Sequence, residues 1–138
     1  MKHFTISEML KSDTAIKQRL WNGANLEVEE NLRALVDEVL DPLRERYGKP
    51  IYVNSGYRCP ELNRLIGGAV NSQHMRGEAA DIRPVKSEKL KAKSELDELV
   101  RIIIANGKFD QLIIYPTFIH VSWRRRGNNR HVIARNGA

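Results

Sequence analysis

The 138-residue chain holds one cysteine, Cys59, so it can form no internal disulfide and cannot build a cysteine-rich zinc knuckle. No stretch approaches the roughly 18 consecutive apolar residues of a spanning helix, so no membrane partner is expected. The opening MKHFTISEML lacks an apolar core of signal-peptide length. This sets the expectation of a protein made in the cytoplasm without a signal peptide, with any outside role needing another export route. Repeats and low-complexity segments are missing too. A length of 138 residues is one domain's worth and too short for two full domains. With 41% hydrophobic and 29% charged residues, neither disorder nor a fibrous fold is the natural reading. The formal net charge of +6 favours polyanionic partners such as nucleic acid or an anionic cell wall.

The apolar pattern is punctuated clearly. The first 24 residues read as short helical pieces, with Ser7 and Ser12 or Asp13 as N-caps and Asn22-Gly23 as a break. Leu26, Leu32, Leu35, Val36, Val39, Leu40 and Leu43 recur at helical spacing, with Glu27, Glu29 and Glu30 early and Arg44 and Arg46 late, as the helix dipole prefers. Pro42 is expected to kink the last turns, and Gly48-Lys49-Pro50 to end them. A strand at Ile51-Tyr52-Val53 leads into the loop Asn54–Pro60, and a short helix runs from Pro60 to Gly67-Gly68. Residues 78–83 read as a strand, followed by a polar, Lys-rich stretch from Pro84 to Lys93. A helix from Ser94 to Asn106 turns Leu96, Leu99, Val100, Ile103 and Ile104 inward, with Gly107 as C-cap. Three β-type runs follow, Leu112–Tyr115, Ile119–Trp123 and His131–Ala134. Helices first and an antiparallel cluster last predict an α+β domain.

Chemistry enters at Ser72-Gln73-His74-Met75-Arg76-Gly77-Glu78-Ala79-Ala80-Asp81. An imidazole and a carboxylate seven residues apart, with Gly77 allowing a close turn, can present two ligands to one zinc ion. His120 lies in an apolar strand where a free imidazole needs a partner, and is well placed as the third. Two histidines and one carboxylate leave a fourth position for water, the layout of a catalytic zinc site. Taken alone, the same three residues also fit two histidines satisfied by backbone carbonyls and an aspartate ending a strand.

The run S-Q-H-M-R-G-E-A-A-D is similar to the S-x-H-x-x-G-x-A-x-D signature of the zinc D-alanyl-D-alanine carboxypeptidase and L-alanyl-D-glutamate endopeptidase family, whose fold is shared with the Hedgehog signalling domain. S-G-Y-R-C-P before it, and F-D-Q-L-I and F-I-H-V-S-W after it, resemble the other blocks of the small single-domain branch found in phages and bacteria. The opening H-F-T-I-S-E-M and the helix N-L-R-A-L-V-D-E-V-L-D-P-L-R resemble that branch as well, so the likeness covers nearly the whole chain. It implies a Hedgehog/DD-peptidase-like α+β fold over residues 1–138, a small antiparallel sheet flanked by helices. It further implies Zn2+ held by His74, Asp81 and His120, with Arg58 holding a carboxylate or carbonyl oxygen of a peptidoglycan stem peptide. The fixed fork of Arg58 suits a carboxylate better than lysine would.

Around this centre the expectations are less uniform. Many relatives carry an acidic residue a few positions before the last histidine, whereas Ile114–Ile119 has none. Asp110, the nearest upstream acid, is the candidate general base, and equally a strand cap or an arginine partner. Ser72 is a candidate donor to substrate and equally a turn hydroxyl. Trp123, on the His120 strand, is the candidate cleft wall. Cys59 reads as a small packed residue, and His3 and His131 as surface or strand-edge histidines, with His131 in reach of a place behind the metal ligands. Arg124, Arg125, Arg126, Arg130 and Arg135 raise a rival class, a nucleic-acid binder, yet few aromatics interleave them. A third class keeps zinc and loses hydrolysis, a peptide-binding module. The expected function is hydrolysis of a stem-peptide amide, as carboxypeptidase or endopeptidase, by a phage or prophage lysis enzyme or tail enzyme acting on the wall after release. Oligomeric state is not legible in the sequence.

Overall fold

The computed structural model describes residues 1–85 and 91–136. Most of the Lys-rich stretch between Pro84 and Lys93 therefore lies outside the described residues. Two short helices open the chain, α1 (Ile6–Leu10) and α2 (Asp13–Lys17). Thr5, not Ser7, caps α1, in a reciprocal box with Glu8, while Ser12 caps α2 as expected.

The main helix starts as α3 (Leu26–Leu35), capped by Asn25, and continues through a π-turn at Val36–Leu40 into α4 (Asp41–Tyr47). The π-turn has a local cause. Pro42 has no N–H to give to the Glu38 carbonyl, and the Asn106 side chain donates to that oxygen instead, at 3.1 Å. Gly48 ends the run in the left-handed region at φ 77°.

Strand β1 (Ile51–Ser55), helix α5 (Pro60–Leu65), a 3-10 turn at Gln73–Arg76 and strand β2 (Ala79–Pro84) follow. Helix α6 (Ala92–Asn106) and strands β3 (Gln111–Ile114), β4 (Ile119–Ser122) and β5 (Val132–Arg135) complete the fold. The sheet order is β1-β2-β4-β3-β5. The first three pairings are antiparallel, but β5 runs parallel to β3, a departure from the wholly antiparallel expectation. The basic turn carries the chain back to the start of β3, so β5 sets out in the same direction.

Period-two alternation sorts the two faces of the sheet. Ala80 and Ile82 of β2, Leu112 and Ile114 of β3, and Ile119 and Val121 of β4 join one core with the long helix and α6. Leu96, Leu99, Val100 and Ile103 of α6 are buried there, whereas Ile104, expected inward, is 44% exposed, one step off the stripe. The opposite face carries Asp81, His120 and Ile113. These stand in one cross-strand row, since Asp81 pairs with His120 and His120 with Ile113.

Candidate metal centre

Because Asp81 and His120 are register partners on neighbouring strands, their side chains rise side by side. His120 Nδ1 lies 2.9 Å from Asp81 Oδ1. His74 arrives from the 3-10 turn, almost fully buried, and places Nε2 3.2 Å from the same oxygen. Its ring meets that of His120 edge-on, centroids 5.1 Å apart. One ligand atom from each of the three residues falls within 4.8 Å of the others.

The other His74 nitrogen decides what this cluster wants. Nδ1 is 2.7 Å from the Gly56 carbonyl, which can only accept, so Nδ1 carries the proton. Nε2, the other ring nitrogen, faces the Asp81 carboxylate and is the atom His74 offers to a metal. Burial pushes the Asp81 carboxyl up, but hydrogen bonding to His120 and His74 outweighs it and holds the group far below the ordinary carboxylate range. Two imidazole nitrogens and an ionised carboxylate beside an open cleft form the donor set of a catalytic zinc site, with the His74–Gly56 bond fixing ring orientation.

Local sequence explains why His74 sits there. Ser72 Oγ accepts from the His74 amide at 3.2 Å and caps the turn. Gly77 closes it at φ 73°, where a Cβ would also meet the Val28 carbonyl at 2.7 Å. A Cβ on Gly56 would run into the Met9 carbonyl, so helix α1 packs directly on the backbone that orients the ligand. Tyr57 donates its amide to that Met9 oxygen at 2.8 Å, and the Arg58 amide donates to the His74 carbonyl at 3.1 Å.

Asn22 is a positioning residue that the sequence reading passed over as a chain break. Its Nδ2 donates to the Leu10 and Tyr57 carbonyls at 2.9 and 3.0 Å, and its Oδ1 accepts from the Cys59 amide at 2.7 Å. It thus clamps both residues flanking Arg58. An Asn-Gly pair carries a turn signal, and nothing local distinguishes a clamp 36 residues from its target.

The three clustered residues lie on a cleft of about 710 Å³, also lined by Arg58, Ser72, Gln73, Arg76, Gln111, Tyr115, Phe118, Arg124 and Arg130. Arg58 is half-buried. Burial lowers its affinity for the proton while Asp81 and Tyr115 raise it, and its Nε has no hydrogen-bond partner among the described residues. The Gln73 amide is likewise sealed and unpartnered. Such groups cost about 1–3 kcal/mol each, and both line the cleft that carries His74, Asp81 and His120.

Two expectations need correction. Asp110 does not line the cleft, and its carboxylate is fully buried. It accepts from the Arg130 backbone amide at 2.7 Å and from Arg130 Nη2 at 2.7 Å. Burial raises its pKa, but those bonds prevail and hold it below the usual range, so it is neither placed nor poised as a base. The arginine-pairing alternative is the one observed. Trp123 is not on the cleft either. It stands three positions after His120, hence on the opposite face, and packs against the core. The aromatic wall comes from Tyr115 and Phe118, stacked at 4.4 Å across the Pro116-Thr117 turn. Asp81 is the sole acid on the cleft wall among the described residues.

Cys59 caps α5 through Sγ and packs beside the core, as expected of a small packed residue. His131 bonds the Gly107 carbonyl at 3.1 Å and meets Phe109 edge-on, away from the cleft lining. In the basic turn, Arg124 and Arg130 face Asp110, Arg125 reaches Glu30 and Asn31, and Arg135 faces Asp97. Most of these arginines thus have acidic partners within the fold, unlike a free phosphate-binding stripe.

A stretch of 44 residues is 50% identical to a zinc D-Ala-D-Ala carboxypeptidase of Streptomyces albus G, covering 31% of this chain and 17% of that protein. Residues 2–122 match the family model described as Peptidase M15. With its fold, its His-Asp-His cluster and a match over most of its length, the chain belongs to the peptidase M15 family.

Proposed function

We propose that the chain is a single-domain zinc peptidase cutting an amide bond in the peptide stems of bacterial peptidoglycan, acting on the wall after release. The observation that carries this reading is the His74–Asp81–His120 cluster, with the His74 tautomer fixed by Gly56, on a cleft that also holds Arg58, whose Nε has no hydrogen-bond partner among the described residues. The zinc carboxypeptidase named above supports the choice of metal and substrate class.

When bound, zinc supplies Lewis acidity, which polarises a carbonyl and makes water a nucleophile near neutral pH. His74, Asp81 and His120 would hold it. Arg58 binds a peptide carboxylate through its planar fork. Tyr115 and Phe118 offer an apolar wall to the substrate's carbon skeleton, and Ser72 holds the His74 turn in place.

A peptide-binding module without hydrolysis is the second reading, favoured by one observation, that no acid besides Asp81 lines the cleft among the described residues. Metal content and mass spectrometry of defined muropeptides, with and without chelator, separate the two. One equivalent of zinc with chelator-sensitive cleavage supports the peptidase, and product masses name the bond. Zinc without cleavage supports the module.

A further inference from the structure

The end of the cleft away from Arg58 holds a charge arrangement that neither metal binding nor peptide cleavage requires. Arg124 and Arg130 both line the cleft and both face one buried carboxylate, Asp110, at 3.8 and 2.7 Å. Two guanidinium groups over one carboxylate leave one positive charge uncompensated. Of the two arginines only Arg130 hydrogen-bonds the Asp110 carboxylate, so the donors of Arg124 remain free of it.

The backbone under these arginines is tied by hydrogen bonds at several points. Arg124 donates its amide to Asn129 Oδ1 at 2.8 Å, and Asn129 Nδ2 returns to the Arg124 carbonyl at 3.1 Å. The Arg130 amide is tied to Asp110 Oδ1, and the Val132 amide to the Asp110 carbonyl at 2.9 Å. A cation site ordered before any ligand arrives loses little freedom on binding.

Sheet order places it. Arg58 follows β1, Asp81 and His120 sit on β2 and β4, and Asp110 opens β3 with Arg130 just ahead of β5. The antiparallel pairings put the end of β1, the end of β4 and the start of β3 at one end of the sheet. In strand order the two cationic sites therefore lie on either side of the strands that carry Asp81 and His120.

We propose that Arg124 and Arg130, carried on Asp110, form a second anion site that selects peptides bearing a free carboxylate on the far side of the metal centre from Arg58. The substrate class is then a short peptide with two carboxylates straddling the cut, which rests on the peptidase reading above.

The test uses the full chain and synthetic stem peptides in which each interior carboxylate is in turn free or amidated. Both kcat/KM and calorimetric affinity are measured. Wild type favours the free acid at one interior position by at least about tenfold, the scale of a charge-assisted hydrogen bond. Arg124→Gln, which keeps the Asp110–Arg130 pair and hence the fold, brings that ratio towards one. Arg126→Gln, an exposed position off the cleft, keeps it. Ratios near one at every position in wild type, or an equal drop in Arg124→Gln and Arg126→Gln, overturn the site. A tenfold affinity ratio sensitive to Arg124, with no peptide cut, supports the site and refutes the peptidase.

Discussion

Replacing Asn22 tests whether a residue outside the cleft lining sets the Arg58 loop. Its amide makes three hydrogen bonds, to the Leu10 and Tyr57 carbonyls and from the Cys59 amide. At about 1 kcal/mol net per bond the loss in Asn22→Ala approaches 3 kcal/mol. Asn22 is only partly buried, so water recovers some of this and about 2 kcal/mol is expected. For a domain of this size that is a midpoint shift of about 1 M in urea at unchanged slope. Asn22→Gly preserves the chain-breaking tendency while deleting the clamp, and should lose as much or more. The functional signature is a raised KM for stem peptides, because Arg58 lies between the two clamped residues. Zinc content stays at the wild-type level, since His74 keeps its bond to Gly56. A midpoint shift below about 0.2 M with kcat/KM within twofold of wild type would refute the clamp. Full stability in Asn22→Gly alone would return Asn22 to a simple helix breaker.

Other perturbations separate the remaining roles. His74→Ala and His120→Ala should lose the metal, whereas Arg58→Ala should retain it and lose turnover; equal zinc in all three variants, measured by elemental analysis, would sink the ligand assignment. Gly77→Ala forces a side chain into the left-handed region and against the Val28 carbonyl, so a loss of about 2–3 kcal/mol in denaturant melts is expected. Asp110→Asn should raise KM for carboxylate-bearing peptides with kcat within a few-fold of wild type; a fall of a hundredfold or more in kcat with KM unchanged would restore Asp110 as the base. Because the folded state holds the Asp110 carboxyl below its ordinary value, its contribution to stability is complete above about pH 4 and lost as pH falls through the lower folded value. The stability gap between wild type and Asp110→Asn should therefore close in strong acid, as followed by urea midpoints against pH.

Local pattern carried much of the architecture. The apolar stripe from Leu32 to Leu43, the Gly48 and Gly107 stops and the Pro42 disturbance are consequences of backbone sterics and helical periodicity, which act over a few residues, although Leu26, expected at the head of that stripe, is 71% exposed in the first turn. His74, Asp81 and His120 stood out through motif resemblance, and strand parity then placed Asp81 and His120 on one face. Spacing was silent on which strand lay beside which. Only the packed sheet made Asp81 and His120 register partners, and only the packing of α1 on Gly56 set the tautomer of His74. The same holds for what was misplaced. Asp110 lies ten positions before His120 in sequence, yet its partner is twenty positions onward, because β5 joins β3 in parallel and brings Arg130 to the start of that strand. The sequence by itself determined most of the helices and turns, because those depend on neighbours along the chain. Tertiary structure alone decided the clamp at Asn22, the aromatic wall and the fate of each arginine, because a hydrogen bond or ion pair between distant residues exists only once the core has fixed which surfaces meet.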